Sequence, residues 1–166
     1  MLIVGHRGAA ARAPENTAVS LVAGLDAGAD AIEIDVGLTR DGRVVLLHDA
    51  TVDRTTSGRG ALRSLTWERV RALDAGSWFS RRFKGEPPID LDDALAIVRA
   101  RVPIIVEIKP AAHDRETVDA VLACIARTGG TRCCRSTPTR GLRSRRTVAA
   151  PSRGSRSSSR SPTWSR

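Results

Sequence analysis

Four groups of ionisable residues punctuate the apolar runs of this sequence: His6-Arg7, Glu33-Ile34-Asp35, His48-Asp49 and Glu107-Ile108-Lys109. In an extended chain, residues two apart share a face. Glu33 and Asp35 therefore project together while Ile32, Ile34 and Val36 project to the opposite side, and Glu107 projects with Lys109. Three carboxylates converging on one place repel one another and hold protons more tightly unless a cation neutralises them. Oxygen donors select a hard divalent ion, Ca²⁺ or Mg²⁺, over zinc. Beside such an ion, Arg7 and Lys109 would hold the oxygens of an anion and stabilise charge that builds up during reaction, with His6 and His48 as general base and general acid on opposite sides. Cleavage of a phosphodiester uses all of these parts: a base to activate the attacking oxygen, an acid to protonate the departing alkoxide.

The elements that must position these groups follow from the hydrophobic pattern. Residues 2–4, 31–36, 44–47 and 103–108 read as short buried strands. Helical periodicity over 17–27 places Ala18, Leu21, Val22 and Leu25 on one face, with start signals in Pro14-Glu15-Asn16-Thr17 and a stop at Gly28. Helices are also expected over 66–73, over 91–100 behind an Asp90/Asp93 capping pair, and over 114–126 with Val118, Val121, Leu122 and Ile125 on the apolar side. Arg40-Asp41-Gly42-Arg43 suits a tight reversal. Residues 50–89 form an excursion from the sheet. Alternating strands and helices predict an α/β fold with a parallel sheet, in which sites sit at strand C-terminal ends. A histidine at a strand end, a Glu-x-Asp or a Glu-x-Lys is by itself an ordinary surface feature. Four successive apolar strands that all end in such residues are not what scattered surface charge produces.

These residues carry a resemblance. His6-Arg7-Gly8, Pro14-Glu15-Asn16-Thr17, Glu33-Ile34-Asp35-Val36, His48-Asp49 followed by Asp53-Arg54-Thr55-Thr56-Ser57-Gly58, Gly76-Ser77-Trp78-Phe79 and Glu107-Ile108-Lys109-Pro110 resemble, in order and spacing, the motif set of the glycerophosphodiester phosphodiesterase family. The resemblance implies a TIM-barrel hydrolase that cleaves small-molecule glycerophosphodiesters to sn-glycerol 3-phosphate and an alcohol. It implies Ca²⁺ or Mg²⁺ ligands at Glu33, Asp35 and Glu107, an acid/base pair at His6 and His48, and phosphate contacts at Arg7 and Lys109. Glu15 and Asn16 resemble residues that shape the mouth of the site, and 50–89 the small insertion that helps hold the glycerol side.

The resemblance covers residues 1–128, which would be the first four βα units of a barrel that needs roughly 250 residues. The net charge of +9 divides at the same point. All 18 acidic residues lie at or before Asp119, whereas residues 129–166 carry ten Arg, nine Ser and no acid. That tail has no period of 2 or 3.6 and is expected to be disordered, with an out-of-frame reading from about residue 129 as its origin. An open half-barrel would expose sheet edges and self-associate or be inactive. The Arg/Ser tail would bind nucleic acid only through phosphates and without specificity. No apolar run is long enough to span a membrane, and the start lacks a signal-peptide pattern, so a soluble cytoplasmic protein is expected. Three cysteines, two of them adjacent, form no disulfide framework.

Overall fold

A computed structural model describes residues 1–98, 101–109 and 115–128 and the backbone of 133–136. The expected disordered tail lies, apart from that short stretch, outside the described residues. One sheet is ordered β1-β2-β4-β5, with β1 at Val4–His6, β2 at Ala31–Leu38, β4 at Ile104–Ile108 and β5 at Cys133–Ser136. All four of these strands are parallel, in the registers His6↔Glu33, Asp35↔Glu107 and Glu107↔Ser136. The apolar pattern around 133–136 does not announce a strand. Its backbone nevertheless adds to β4, whose outer edge would otherwise be open.

The third apolar run does not continue the parallel series. β3 (Val44–Leu46) returns antiparallel along β2, pairing Val36 with Leu46 and Leu38 with Val44. The cause is the turn at 39–43. A connection this short cannot cross over to a parallel neighbour, which needs a dozen residues or more. The Thr39 N–H donates to Arg43 O at 2.9 Å, and Gly42 takes a φ of +79° that its lack of a side chain permits. Val36 is paired on both sides, by Ile108 and by Leu46, so β3 continues the edge that β1 begins. His48 is thereby carried back toward the level of Asp35, where Leu47 N–H donates to Asp35 O at 3.1 Å.

Three helices cover one face: α1 (Ala18–Asp26), α3 (Leu91–Val98) and α4 (Arg115–Arg127), with α3 packed between the other two. Ile32, Ile34 and Val36 of β2 and Ile104, Val106 and Ile108 of β4 pack against Leu21, Leu25, Leu91, Leu95 and Val121 in one core. The intervening Glu33, Asp35 and Glu107 are left on the other face, as the period of 2 requires. Two helices are rotated from expectation. Val22 and Leu122 are exposed, and α1 buries Ser20 and Gly24 while α4 buries Thr117 and Cys124. Three of these four residues have a partner on another segment that fixes the helix's rotation. Ser20 Oγ donates to Arg7 O, Gly24 packs on Gly8, and Thr117 Oγ1 accepts from Arg63.

The insertion builds a second core. β3 and the residue after it serve both: Val44 and Leu46 enter the main one, whereas Val45 and the following Leu47 join Val52, Leu62 and Val70, the last on the short helix α2 (Trp67–Arg71). Asp74 organises the far side of the insertion by accepting the N–H groups of Gly76, Ser77 and Gly85 and the Ser77 hydroxyl. The Ser77 hydroxyl and these amides hold its carboxyl well below the usual aspartate range. Asp90 caps α3, as expected, by accepting the Asp93 N–H at 2.8 Å.

Gly8 links the fold to the site. Its φ is +86°, and a Cβ there would lie 2.5 Å from the backbone carbonyl of Ser20 on α1. Gly8→Ala is expected to cost about 3 kcal/mol through left-handed strain and overpacking together, read as a lower midpoint in urea unfolding with an unchanged slope.

Candidate active site

The site is assembled by the loop after β1, the middle of β2, the return from β3 and the end of β4. Asp35 is its centre and is fully buried. Arg7 Nε lies 3.0 Å from Asp35 Oδ2, and Lys109 Nζ lies 3.1 Å from Oδ1 and 2.8 Å from Glu107 Oε1. Asn16 closes the remaining side: its Nδ2 donates to Asp35 Oδ2 at 3.1 Å, and its Oδ1 accepts the Asp35 N–H at 3.2 Å. Glu33 Oε2 accepts the Arg7 N–H at 2.9 Å, and His6 Nε2 lies 3.9 Å from the same oxygen.

The loop that carries Arg7 and Asn16 is held in a costly conformation. Both residues have positive φ, +52° and +57°, in the left-handed region that side chains other than glycine avoid. The strain is held by bonds across the loop, in which the Asn16 N–H donates to Arg7 O at 3.1 Å and Ser20 Oγ donates to the same carbonyl at 2.8 Å. The Thr17 side chain then caps α1 by accepting the Ser20 N–H at 3.4 Å. Thr17 also donates to Pro14 O at 2.6 Å, fixing the start of the helix against the loop.

Oxygen atoms of Glu33, Asp35 and Glu107 come within 4.8 Å of one another. Among the described residues, buried Glu33 Oε1 and Asp35 Oδ1 have no aligned hydrogen-bond donor, and the Arg7 Nε–H has no aligned acceptor. Burial raises the Glu33 pKa first, and the neighbouring Asp35 and Glu107 charges raise it further against the Arg7 N–H. Lys109 moves the other way. Burial opposes its charge, but the close Glu107 and Asp35 carboxylates prevail and keep it above the usual lysine value. Three carboxylates against two cations leave uncompensated negative charge beside carboxylate oxygens with spare acceptor capacity. This is a donor set that a hard divalent cation fits.

A second chain of charge runs outward. Arg7 Nη1 donates to Glu15 Oε1 at 2.7 Å, Arg54 bridges Glu15 to Asp49, and Asp49 Oδ1 accepts from His48 Nδ1 at 2.6 Å. All nine residues singled out in the sequence, His6, Arg7, Glu15, Asn16, Glu33, Asp35, His48, Glu107 and Lys109, belong to these two connected networks. The sequence reading assigned no role to Asp49 or Arg54. Their signal was their position, next to His48 and in the run Asp53-Arg54-Thr55-Thr56, but nothing local says that Arg54 folds back to meet Glu15. His48 lines a cavity of about 70 Å³ together with Lys109, Leu62 and Arg63.

A largely parallel sheet covered by helices on one face, with ionisable groups gathered on the other, fits part of the wall of a TIM barrel. The sequence profile described as the Glycerophosphoryl diester phosphodiesterase family matches residues 6–134, and the chain belongs to that family. A glycerophosphodiester phosphodiesterase of Caldanaerobacter subterraneus is 47% identical over 85 residues, which are 51% of this chain and 35% of that protein. The crystal structure of a glycerophosphodiester phosphodiesterase from Agrobacterium tumefaciens superposes with a TM-score of 0.73 at 37% identity, covering 84% of this chain and 59% of that one. An Oleispira antarctica phosphodiesterase in complex with the product sn-glycerol-3-phosphate superposes with a TM-score of 0.76 at 29% identity, covering 81% and 56%. The chain thus spans little more than half of these solved structures and less of its curated relatives.

Two outcomes are expected from this electrostatic arrangement. Millimolar Mg²⁺ or Ca²⁺ should raise the thermal midpoint, and Glu107→Gln, at a partly exposed carboxylate of the cluster, should abolish most of that rise while leaving the metal-free midpoint nearly unchanged; differential scanning fluorimetry measures both. Arg54 holds the Asp49 carboxyl down at about 2, with His48 adding to the effect. A depressed carboxyl pKa contributes stability that is present above the ordinary aspartate range and is lost as pH falls toward about 2. Asp49→Asn should therefore flatten the acid limb of the stability profile, measured by urea unfolding between pH 5 and pH 2.5.

Proposed function

We propose that this chain carries the N-terminal half of a divalent-metal-dependent glycerophosphodiesterase site, which cleaves a glycerophosphodiester to sn-glycerol 3-phosphate and an alcohol. The observation that carries the reading is the buried carboxylate cluster with spare oxygens, set between two cations and two histidines. Glu33, Asp35 and Glu107 would hold Ca²⁺ or Mg²⁺, which when bound polarises the phosphoryl group. Arg7 and Lys109 are placed to neutralise phosphate oxygens, and their own carboxylate partners keep both side chains fixed. His6 and His48 supply the proton transfers: one imidazole takes a proton from the attacking oxygen, that of water or of a substrate hydroxyl whose cyclic phosphate water then opens, and the other gives a proton to the departing alkoxide. Glu15 and Asn16 shape the mouth by holding Arg7 and Asp35. The product named for the Oleispira relative is the one this reaction releases.

A specific observation favours a second copy as part of the working unit. Among the described residues, β1 pairs only with β2, and Leu2 and Ile3 just before it and Val4 within it are exposed. We propose self-association through this edge. The basic segment 129–166 is proposed to add charge and no specific nucleic-acid recognition. None of the described helices is long and apolar enough to cross a membrane.

With glycerophosphocholine and Mg²⁺ or Ca²⁺, a coupled assay should register glycerol 3-phosphate. His6→Ala and His48→Ala should each lower kcat by about 100-fold or more with KM little changed. Turnover that survives both substitutions, or that chelators leave untouched, would contradict the assignment. Sedimentation velocity should show a concentration-dependent dimer, and Ile3→Asp should shift it toward monomer.

A further inference from the structure

We propose that Arg54 is a positioning residue that sets the orientation and tautomer of His48 through Asp49 and braces Arg7 through Glu15. The inference takes its chemistry from the phosphodiesterase reading above, but its geometry stands without that reading. Arg54 Nε donates to Asp49 Oδ2 at 2.7 Å and Nη2 to Asp49 Oδ1 at 3.2 Å, a two-point grip on one carboxylate. The other edge of the same planar group meets a second carboxylate, with Nη2 donating to Glu15 Oε1 at 2.8 Å and Nη1 to Oε2 at 3.2 Å. All three guanidinium nitrogens are therefore engaged, by carboxylates from two separate loops.

Each carboxylate passes the constraint to a group at the site. Asp49 Oδ1 is also the acceptor for His48 Nδ1 at 2.6 Å, and Glu15 Oε1 is also the acceptor for Arg7 Nη1 at 2.7 Å. A neutral imidazole that donates through Nδ1 carries its lone pair on Nε2, the state in which Nε2 can accept a proton. Arg54 lines neither the cavity shared by His48 and Lys109 nor the smaller one shared by His48, Glu15 and Asn16, so it acts through its partners. An isolated pair at this exposure would contribute little. A planar fork held between two carboxylates is different, because orientation is fixed as well as charge. Lysine keeps the charge but cannot reproduce the fork. Arg54 also joins the insertion to the loop after β1, and it connects the outer histidine to Asp35 through Glu15 and Arg7.

The test is imidazole nitrogen NMR on the full chain labelled at its three histidines, with His48 assigned by substituting the other two. Above its titration midpoint, His48 in the wild-type chain is expected as the single Nδ1–H tautomer. Arg54→Gln should give a mixture of both tautomers, and Arg54→Lys should give the mixture too, despite retaining charge. Arg59→Ala, in an exposed arginine of the same loop, should leave His48 unchanged. A pure Nδ1–H tautomer in folded Arg54→Gln overturns the proposal; if that variant does not fold, the same result in Arg54→Lys overturns it. In the hydrolysis assay, Arg54→Gln should lower kcat by roughly tenfold or more with KM little changed. A chain that shows the tautomer change but no turnover even as wild type would defeat the functional reading and leave the positioning role standing.

Discussion

The arrangement depends on one charge, the fully buried carboxylate of Asp35. Such a group cannot stay ionised in a protein interior unless it is paired and hydrogen-bonded, and removing a partner from a buried pair typically costs about 3–5 kcal/mol. Asp35 draws its partners from two separate segments: Arg7 and Asn16 from the loop after β1, and Lys109 from the end of β4. The left-handed backbone of Arg7 and Asn16 is intelligible in these terms. Strain at two residues is tolerated because it brings a guanidinium and an amide to a charge that would otherwise be orphaned. The close packing of Gly8 on Ser20 and the cap at Thr17 then hold that loop against α1.

Much of this was legible in the sequence, for a physical reason. Side chains alternate along a strand, so Glu33, Asp35, Glu107 and Lys109 had to share the face opposite Ile32, Ile34 and Val36, and the core follows that division. The stop at Gly28, the reversal at 40–43 and the Asp90 cap are equally local and equally readable. Properties that depend on distant partners were not. β3 runs antiparallel because its turn is too short for a crossover, a consequence that the reversal signal already contained. The rotation of α1 and α4 away from Val22 and Leu122 is set by contacts of Ser20, Gly24 and Thr117 with other segments, which periodicity does not register. The bridge from Asp49 through Arg54 to Glu15 spans two loops and has no local signature at all. The strand at 133–136 is a backbone pairing, blind to the composition that hid it.

The half of the architecture that is described explains why the chemistry is recognisable in a chain that spans only part of its relatives. The ligand-type carboxylates, both cations and both histidines all precede Pro110, and the insertion that contributes Arg54 lies within the same stretch. The main core under the sheet is continuous from α1 to α4, so the face carrying these groups has support of its own. Among the described residues the outer edge of β1 is unpaired, and that strand carries the exposed side chains of Val4 and His6.

The central claim is that Glu33, Asp35 and Glu107 form a hard-cation site around a buried charge that Arg7 and Lys109 only partly neutralise. A crystal of the full chain grown with Mn²⁺, a reporter for Mg²⁺ that scatters anomalously, tests this most directly. The account predicts one strong anomalous peak bounded by oxygens of those three carboxylates. A map with no peak there, and with Lys109 still bridging Asp35 and Glu107, would contradict it.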